Sequence, residues 1–121
     1  MPDTVTEQQL VAAARESTAA VFSMMLNMEI TPGEPSEQVD PPPLNGVMAI
    51  LGFTGEWVGS GIFYCQEKLA LDISSAMLLT PVTEITSEVL DGIGELGNMV
   101  MGNLKDHLEP LVGPLAMSIP T

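Results

Sequence analysis

The sequence predicts an α+β domain, in which long α-helices pack on an antiparallel β-sheet. Three observations support this fold class. Apolar residues recur at helical spacing in three long segments. Two short apolar runs separated by a turn signal are typical of a β-hairpin. The 121 residues are 45% hydrophobic and 16% charged, which is the composition of one globular domain with a single core.

Residues 6–28 are predicted to form the first helix, because their apolar side chains follow helical spacing. Thr4 and Thr6 are both suited to cap its start. The proline-rich, acidic segment "TPGEPSEQVDPPP" follows at residues 31–43, and its five prolines exclude a regular helix. We expect a loop or extended segment there, with a short edge strand near residues 36–40.

A β-hairpin is predicted next. Val47 to Phe53 is a short apolar run typical of a buried strand, and the Thr-Gly pair that follows is a turn signal. The stretch "EWVGSGIFYC" then predicts the second strand. Gly59 and Gly61 within it indicate a bulge or the close approach of a helix. Trp57 is expected to anchor the packing, with ligand stacking as the less favoured alternative.

Two more helices and a final strand complete the predicted elements. The second helix covers residues 66–79 and ends before Pro81. The third covers residues 86–109, is capped by Thr86 or Thr83, and is expected to be terminated by Pro110 and by the Gly-Pro pair at residues 113 and 114. "LAMSIPT" then begins a strand. No partner follows that strand, which suggests that C-terminal strands are missing from the sequence or come from another subunit.

The charge and the reactive side chains exclude several classes of function. The net charge of −13 argues against DNA, RNA or an anionic membrane surface as a ligand. Cys65, the single cysteine, is expected to be buried, and His107, the single histidine, to be a surface residue without a role. Together they are too few for the usual zinc site. The N-terminus resembles no signal peptide, and no apolar run reaches about 18 residues, so we expect a cytoplasmic protein.

The third predicted helix carries a line of polar residues. With Asp91 set to zero and successive residues about 100° apart, the positions of Glu95, Asn98, Gly102 and Lys105 all lie within about 40° of it. These five residues are called the polar stripe below. The opposite side of the same helix is aliphatic and is expected to be buried; it comprises Val89, Ile93, Leu96, Val100 and Leu104.

Glycine is unexpectedly frequent in this helix, since each helical glycine costs about 1 kcal/mol relative to alanine. Gly92 and Gly94 lie on the two shoulders of the polar stripe, where they would let another protein's backbone come close. Gly102 leaves a clear space beyond Asn98. Gly97 lies on the buried side. The alternative, that glycine only permits tight packing inside the domain, explains Gly97 well and Gly94 poorly.

Asp91, Glu95 and Asn98, with three and two residues between them, resemble the signature of the CheC/CheX family of chemotaxis phosphatases. The surrounding "GELGNMVMGNLK", the hairpin "GVMAILGFTGEWVGSGIFYC" and the final "MSIPT" are also similar to CheX-like proteins. The resemblance predicts one CheX-like domain over residues 1–121, with a single Glu/Asn motif. It departs at the C-terminus, where CheX-like proteins continue with further strands that complete the sheet.

The resemblance implies a phosphatase that removes the phosphoryl group from the aspartate of a CheY-like response regulator. Asn98 would orient the attacking water, because an amide both accepts and donates hydrogen bonds. Glu95 would pair with the regulator's lysine; general-base catalysis by Glu95 is the second choice. Asp91, Gly94 and Gly102 would contact the partner. No cofactor of its own is implied, because the partner supplies Mg²⁺, and the protein is expected to be a homodimer.

Other interpretations remain open from the sequence. A non-catalytic interaction or adaptor domain of the same fold, similar to a flagellar-switch module, is the main alternative. A small-molecule binding fold has little polar material to support it. Asp91 could equally be a surface acid that complements the helix dipole. Lys105 is expected to be a solvated charge at the end of the helix rather than a phosphate ligand. A metal held by Asp91 and Glu95 would lack the six or more oxygen ligands that hard cations require.

Overall fold

The computed structural model describes residues 5–35 and 46–118. Its elements, in chain order, are α1 (Glu7–Leu26), β1 (Gly46–Gly55), β2 (Gly59–Gln66), α2 (Glu67–Leu78), α3 (Ser87–Val112) and β3 (Leu115–Met117). The strands form one antiparallel sheet in the order β2-β1-β3. This arrangement confirms the predicted α+β class. The edge strand predicted near residues 36–40 lies outside the described residues.

The start of α1 shows why the sequence places a helix there. The Thr6 hydroxyl accepts a hydrogen bond from the Gln9 N–H, and the Gln9 side chain accepts one from the Thr6 N–H. This reciprocal pair satisfies two backbone donors that the first helical turn would leave free. Thr6 is therefore the cap; the other candidate, Thr4, lies outside the described residues. Asn27 ends α1 in the left-handed conformation, with φ of 54°.

The hairpin of β1 and β2 has an uninterrupted register from Gly46 opposite Gln66 to Phe53 opposite Gly59. The predicted bulge is therefore absent from this strand pair. The alternative explanation, a close approach by a helix, is confirmed at Gly61, where an added Cβ would collide with the Met101 side chain of α3. At Gly59 an added Cβ would instead meet the ring of Trp57.

The predicted turn position is wrong by about two residues. Thr54 and Gly55 stay in β1 and pair with Ala116 and Leu115 of β3, so the turn falls on residues 56–58. Pairing with a strand 60 residues later overrides the local turn signal of the Thr-Gly pair. Trp57 then folds back onto Phe53, with ring centroids 6.4 Å apart, which confirms its predicted packing role.

The predicted end of the third helix at residue 109 is also wrong: Pro110 does not terminate α3, whereas the Gly-Pro pair at residues 113 and 114, the other predicted terminator, does. The helix continues to Val112, because Pro110 lies in the last turn and Val112, only 2% exposed, is held in the core. The helix ends at Gly113, whose φ of 87° favours glycine and whose N–H donates to the Glu109 carbonyl over 2.9 Å. The C-terminal turn is thus defined by packing and by glycine, and proline is tolerated inside it.

The helices and the inner face of the sheet share a core that has two adjoining parts. One part contains the first half of α3, Val21 and Phe22 of α1, Ile73 of α2, and Val47 and Cys65 of the sheet. The second part joins the later half of α3 to Leu51 and Phe53 of β1 and to Leu115 of β3. Among the described helices, none is long and apolar enough to cross a lipid bilayer.

Candidate functional site

The two faces of α3 separate as the helical wheel predicts. The aliphatic positions are all at most 8% exposed: Val89, Ile93, Leu96, Val100 and Leu104. On the polar stripe, Asp91 and Glu95 are exposed, and Asn98 and Gly102 are half-buried. The core therefore fixes the helix from behind and presents the stripe outwards.

Asp91, Glu95 and Asn98 make no side-chain hydrogen bond or ion pair with any residue of the described ranges 5–35 and 46–118. Glu95 and Asn98 lie about 4.5 Å apart along the helix axis on one face. A carboxylate and a carboxamide are strong hydrogen-bonding groups, and here the domain itself leaves their capacity unused. The pair can therefore engage a cation and a water molecule on another protein.

Two methionines border the polar stripe, which the sequence analysis did not foresee. A Cβ added to Gly92 would lie 3.9 Å from the Met77 sulfur of α2, and one added to Gly102 would lie 3.9 Å from the Met117 methyl of β3. The open shoulder predicted at Gly92 and the clear space predicted at Gly102 are thus each bounded by a thioether side chain. Both contacts are ordinary van der Waals distances, so the domain itself does not require glycine at either position.

Gly97 is different. A Cβ there would lie 3.2 Å from the Ala49 Cβ of β1 and 3.4 Å from the Phe63 Cβ of β2. These Cβ atoms are fixed by the strand backbones and cannot rotate away. The prediction that Gly97 permits a close approach inside the domain is confirmed, and the alternative reading of the glycines is correct at this position.

A pocket of about 570 Å³ adjoins the polar stripe on the side of the sheet. Among the described residues, Asp91, Gly94 and Glu95 line it together with Leu90 of the same helix and residues 47–49 of β1. Gly94, which the sequence placed on one shoulder of the stripe, is half-buried in this pocket. The contribution of β1 was missed, because the pairing of a helix flank with a strand more than 40 residues earlier leaves no local signal.

The C-terminal end of the polar stripe is occupied by internal contacts. Lys105 Nζ lies 3.2 Å from the Glu109 carboxylate and its side chain is only 25% exposed, so the expectation of a solvated lysine is wrong. The same carboxylate accepts a hydrogen bond of 2.9 Å from the Leu115 N–H. That backbone bond first, and Lys105 second, hold the pKa of Glu109 below its usual value. Lys105 is therefore part of a link between α3 and β3.

His107 has structural contacts that the sequence analysis did not predict. Its Nδ1 lies 2.9 Å from the Asn103 carbonyl, and its Nε2 lies 3.2 Å from the Glu16 carboxylate of α1. The Ser17 hydroxyl is 3.4 Å from the same Nδ1. Because a nitrogen facing a carbonyl must carry the proton, Nδ1 cannot take a proton from Ser17, which is also fully buried. The cluster joins α1 to α3 and is not a nucleophilic triad.

Cys65 lies on β2 and is 3% exposed, as predicted, and burial raises the pKa of its thiol. A buried, neutral thiol is a poor nucleophile. Within the described part of the chain, no three acidic, histidine or cysteine side chains gather closely enough to hold a metal ion. The chemistry that remains on the described surface is that of the polar stripe.

Comparison with known proteins identifies relatives of this chain. Residues 47–121 match the family model of the chemotaxis phosphatase CheX. The CheY-P phosphatase CheX of Thermotoga maritima is 30% identical over 118 residues, which cover 95% of this chain and 75% of that protein.

Solved structures give the same result for the fold. A CheC-like superfamily protein from Shewanella SP. PV-4 superposes with a TM-score of 0.85 at 31% identity, covering 96% of this chain and 76% of the other. A chain of the CheX-CheY-BeF3-Mg²⁺ complex from Borrelia burgdorferi superposes with a TM-score of 0.74 at 21% identity, covering 93% of this chain and 74% of the other. At the second identity the likeness concerns the fold alone.

Proposed function

Because this chain belongs to the CheX family of chemotaxis phosphatases, we propose that it accelerates hydrolysis of the aspartyl phosphate of a CheY-like response regulator. One observation carries the proposal. Glu95 and Asn98 are presented together on a rigid helix, and neither has a side-chain partner in the described part of the domain. A purely structural role would leave this pair without a purpose.

Asn98 is proposed to orient the attacking water. An aspartyl phosphate is an activated acyl phosphate, so the helper protein has only to align a water molecule with the phosphorus. The carbonyl of Asn98 can accept a hydrogen bond from that water, and its NH₂ group can donate one to a phosphoryl oxygen. Positioning of this kind dominates catalysis in phosphoryl transfer, and the core behind α3 supplies the necessary rigidity.

Glu95 is proposed to dock the helix by pairing with a lysine of the response regulator beside its phosphoaspartate. That pairing sets the register of α3 and therefore the position of Asn98. Mg²⁺ would come with the regulator, which fits the small donor set here: two carboxylates and one amide are too few oxygen ligands for this ion. The CheX-CheY-BeF3-Mg²⁺ complex of a relative supports this division of the active site between two proteins.

The experiment mixes the protein with a CheY-type response regulator phosphorylated by acetyl phosphate and follows the loss of the phosphoryl group. We expect the wild type to accelerate the loss. Asn98→Ala should remove about 100-fold or more of the acceleration while binding persists, because only the water loses its alignment. Glu95→Ala should weaken binding about tenfold or more as well, because a charged hydrogen bond is lost.

Asn103→Ala is the matched control, since it removes the same side chain from the same helix at a position outside the polar stripe. It should leave both rate and affinity close to those of the wild type. If Asn98→Ala and Glu95→Ala also behave like the wild type, the assignment of these residues is wrong. Binding without any acceleration by the wild type would instead favour the non-catalytic adaptor domain.

We also propose that the protein is a homodimer, as the resemblance implies, and that it is cytoplasmic. The outer face of the sheet supports an association of this kind, because Ile50 and Ile62 pair across β1 and β2 while remaining 43% and 50% exposed. Sedimentation equilibrium should give twice the chain mass of 12.8 kDa. A mass of one chain at micromolar concentration would refute the dimer without touching the phosphatase.

A further inference from the structure

The hairpin of β1 and β2 meets α3 at two successive places, and a glycine takes part in each contact. At the first place, Gly97 of α3 lies over Ala49 and Phe63, which are directly opposite each other on the two strands. At the second place, one helical turn later, Met101 lies over Gly61, two residues before Phe63 on β2. The missing side chain therefore belongs to the helix at the first place and to a strand at the second.

These two contacts fix the position of α3 along the hairpin. One helical turn advances about 5.4 Å and two strand residues advance about 6.6 Å, so the contacts recur at similar intervals on both elements. A shift of α3 by one turn would bring Met101 against Phe63, where the space is already filled. The helix thus has one position in which both glycines face a neighbour that needs the room.

The contact at Gly97 also sets the distance between α3 and the sheet. A Cβ there would lie 3.2 Å from the Ala49 Cβ and 3.4 Å from the Phe63 Cβ, both closer than an ordinary van der Waals contact. The strand backbones hold these two atoms in place, and the Phe63 ring packs against Phe22 of α1 with centroids 6.4 Å apart. A side chain at position 97 would therefore move α3 away from the sheet by a few tenths of an ångström.

Glu95 and Asn98 lie on the part of α3 that this contact holds. Asn98 directly follows Gly97, so a displacement at Gly97 is carried to the Asn98 amide through one peptide bond. We infer that Gly97 is a positioning residue, whose missing side chain sets the height at which α3 presents Asn98 to the phosphoryl group of a docked response regulator. This inference rests on the proposed function and adds to it the contact that determines where Asn98 lies.

The test measures kcat and KM for a CheY-type response regulator phosphorylated by acetyl phosphate. Gly97→Ala should lower kcat about tenfold, because catalysis by alignment is sensitive to displacements below about 1 Å. KM should change by less than about threefold, since the exposed Glu95 carboxylate can rotate to keep its partner. Thermal unfolding verifies that the variant is folded at the assay temperature, so that the loss of kcat belongs to folded molecules.

Gly61→Ala is the matched control. It adds the same methyl group to the same interface of α3 with the hairpin. The added Cβ meets only the sulfur and the terminal methyl of Met101, and this flexible end of the side chain can rotate aside. The helix then keeps its distance from the sheet, so kcat should stay within about twofold of the wild type.

A second substitution should rescue kcat without rescuing stability. Ala49→Gly removes the nearer of the two fixed Cβ atoms, so in this background Gly97→Ala should lower kcat by less than about threefold relative to Ala49→Gly alone. The double variant should still unfold at a lower temperature than the wild type, because glycine weakens the interior of β1. Recovery of kcat at low stability is expected from positioning and not from a purely structural role.

Three results would overturn the inference while the wild type remains an active phosphatase. They are an unchanged kcat for folded Gly97→Ala, equal losses of kcat for Gly97→Ala and Gly61→Ala, and a loss at Gly97 that Ala49→Gly does not reduce. The proposed function survives each of these results. If the wild type itself does not accelerate dephosphorylation, the phosphatase proposal fails and this inference fails with it.

Discussion

The buried and exposed faces of α3 contain the same residue types in different roles. Leucine and glycine occur on both faces. On the buried face Leu96 is fully enclosed and Gly97 is pressed against two strands. On the other side Leu90 is half exposed and Gly102 has room for a Cβ. A residue type therefore says little about its role here until its neighbours are known.

The comparison teaches that stability and activity should be separable along one helix. The buried face contributes to the free energy of unfolding through apolar contacts, whereas Asp91, Glu95 and Asn98 of the polar stripe make no side-chain hydrogen bond or ion pair with the described domain. Substitutions on the buried face of α3, other than at Gly97, should change the free energy of unfolding and leave the activity of the folded molecules intact. Substitutions on the stripe should do the reverse. Matched pairs of variants test this separation directly.

The largest difference in the free energy of unfolding is expected between Leu96→Ala and Leu90→Ala. Leu96 is 0% exposed, so its truncation leaves a cavity and should lower the free energy of unfolding by about 2–5 kcal/mol. Leu90 is 50% exposed, so its truncation should change that free energy by about 0.5 kcal/mol or less. Urea denaturation monitored by circular dichroism gives both values. A loss above about 1 kcal/mol for Leu90→Ala would show that this side chain belongs to the core.

Smaller changes in the free energy of unfolding, of opposite sign, are expected for Gly97→Ala and Gly102→Ala. At Gly97 the new methyl meets the fixed Cβ atoms of Ala49 and Phe63 at 3.2 and 3.4 Å, so overpacking should outweigh the gain in helix propensity by about 1 kcal/mol. At Gly102 the nearest atom is 3.9 Å away, so the variant should be more stable by up to about 1 kcal/mol.

The activity of Gly102→Ala completes that comparison. If glycine is present at this position to let a partner approach, the more stable variant should dephosphorylate the response regulator less well, with a raised KM. The measurement is the phosphatase assay on protein whose stability has been determined in parallel. A variant that is both more stable and fully active would remove Gly102 from the docking surface, and the glycine would then have no explanation in the structure.

Local signals were sufficient for most of the fold. Thr6 and Thr86 are caps whose partners lie three residues away, so local signals narrowed each helix start to two threonines, and the structure uses Thr6 and Thr86. The 3.6-residue period separated the faces of α3 correctly, because that helix is buried on one side only. The class of the fold and the exposure of the polar stripe follow from these features.

Most of the errors and omissions involve contacts between distant parts of the chain; the ion pair of Lys105 with Glu109, four residues later, is a local exception. The turn moved because β3 pairs with Thr54 and Gly55, and Pro110 was tolerated because Val112 is held in the core. Met77 and Met117 border the stripe from other elements, and residues 47–49 of β1 also line the pocket. Helical spacing carries no information about such neighbours, so only the assembled domain shows what surrounds the candidate site.

The smallest effect on the free energy of unfolding is expected at Glu109, beyond the end of the polar stripe, where the side chains of α3 contact the domain itself. Glu109 lies in line with Asp91 five turns later, but its carboxylate is held by the Leu115 N–H and Lys105, and these contacts lower its pKa from the usual 4.5. A lowered folded-state pKa contributes stability above the unfolded-state value, and this contribution is lost as the pH falls through the folded-state value. Glu109→Gln should therefore be slightly less stable than the wild type at pH 7, and the difference should shrink below pH 4.5.

Denaturation of both proteins between pH 7 and pH 3 tests this, with Glu84→Gln as the control, because Glu84 has no side-chain partner among the described residues. The Glu109 variant should keep the phosphatase activity of the wild type, since its carboxylate is already bound within the domain and cannot serve a partner. A loss of activity at unchanged fold would extend the docking surface to the last turn of α3. In that case it would be wrong to separate Asp91, Glu95 and Asn98, which are free of contacts within the described domain, from the end of the stripe at Lys105, which is bound to Glu109. Both parts would then contact the response regulator.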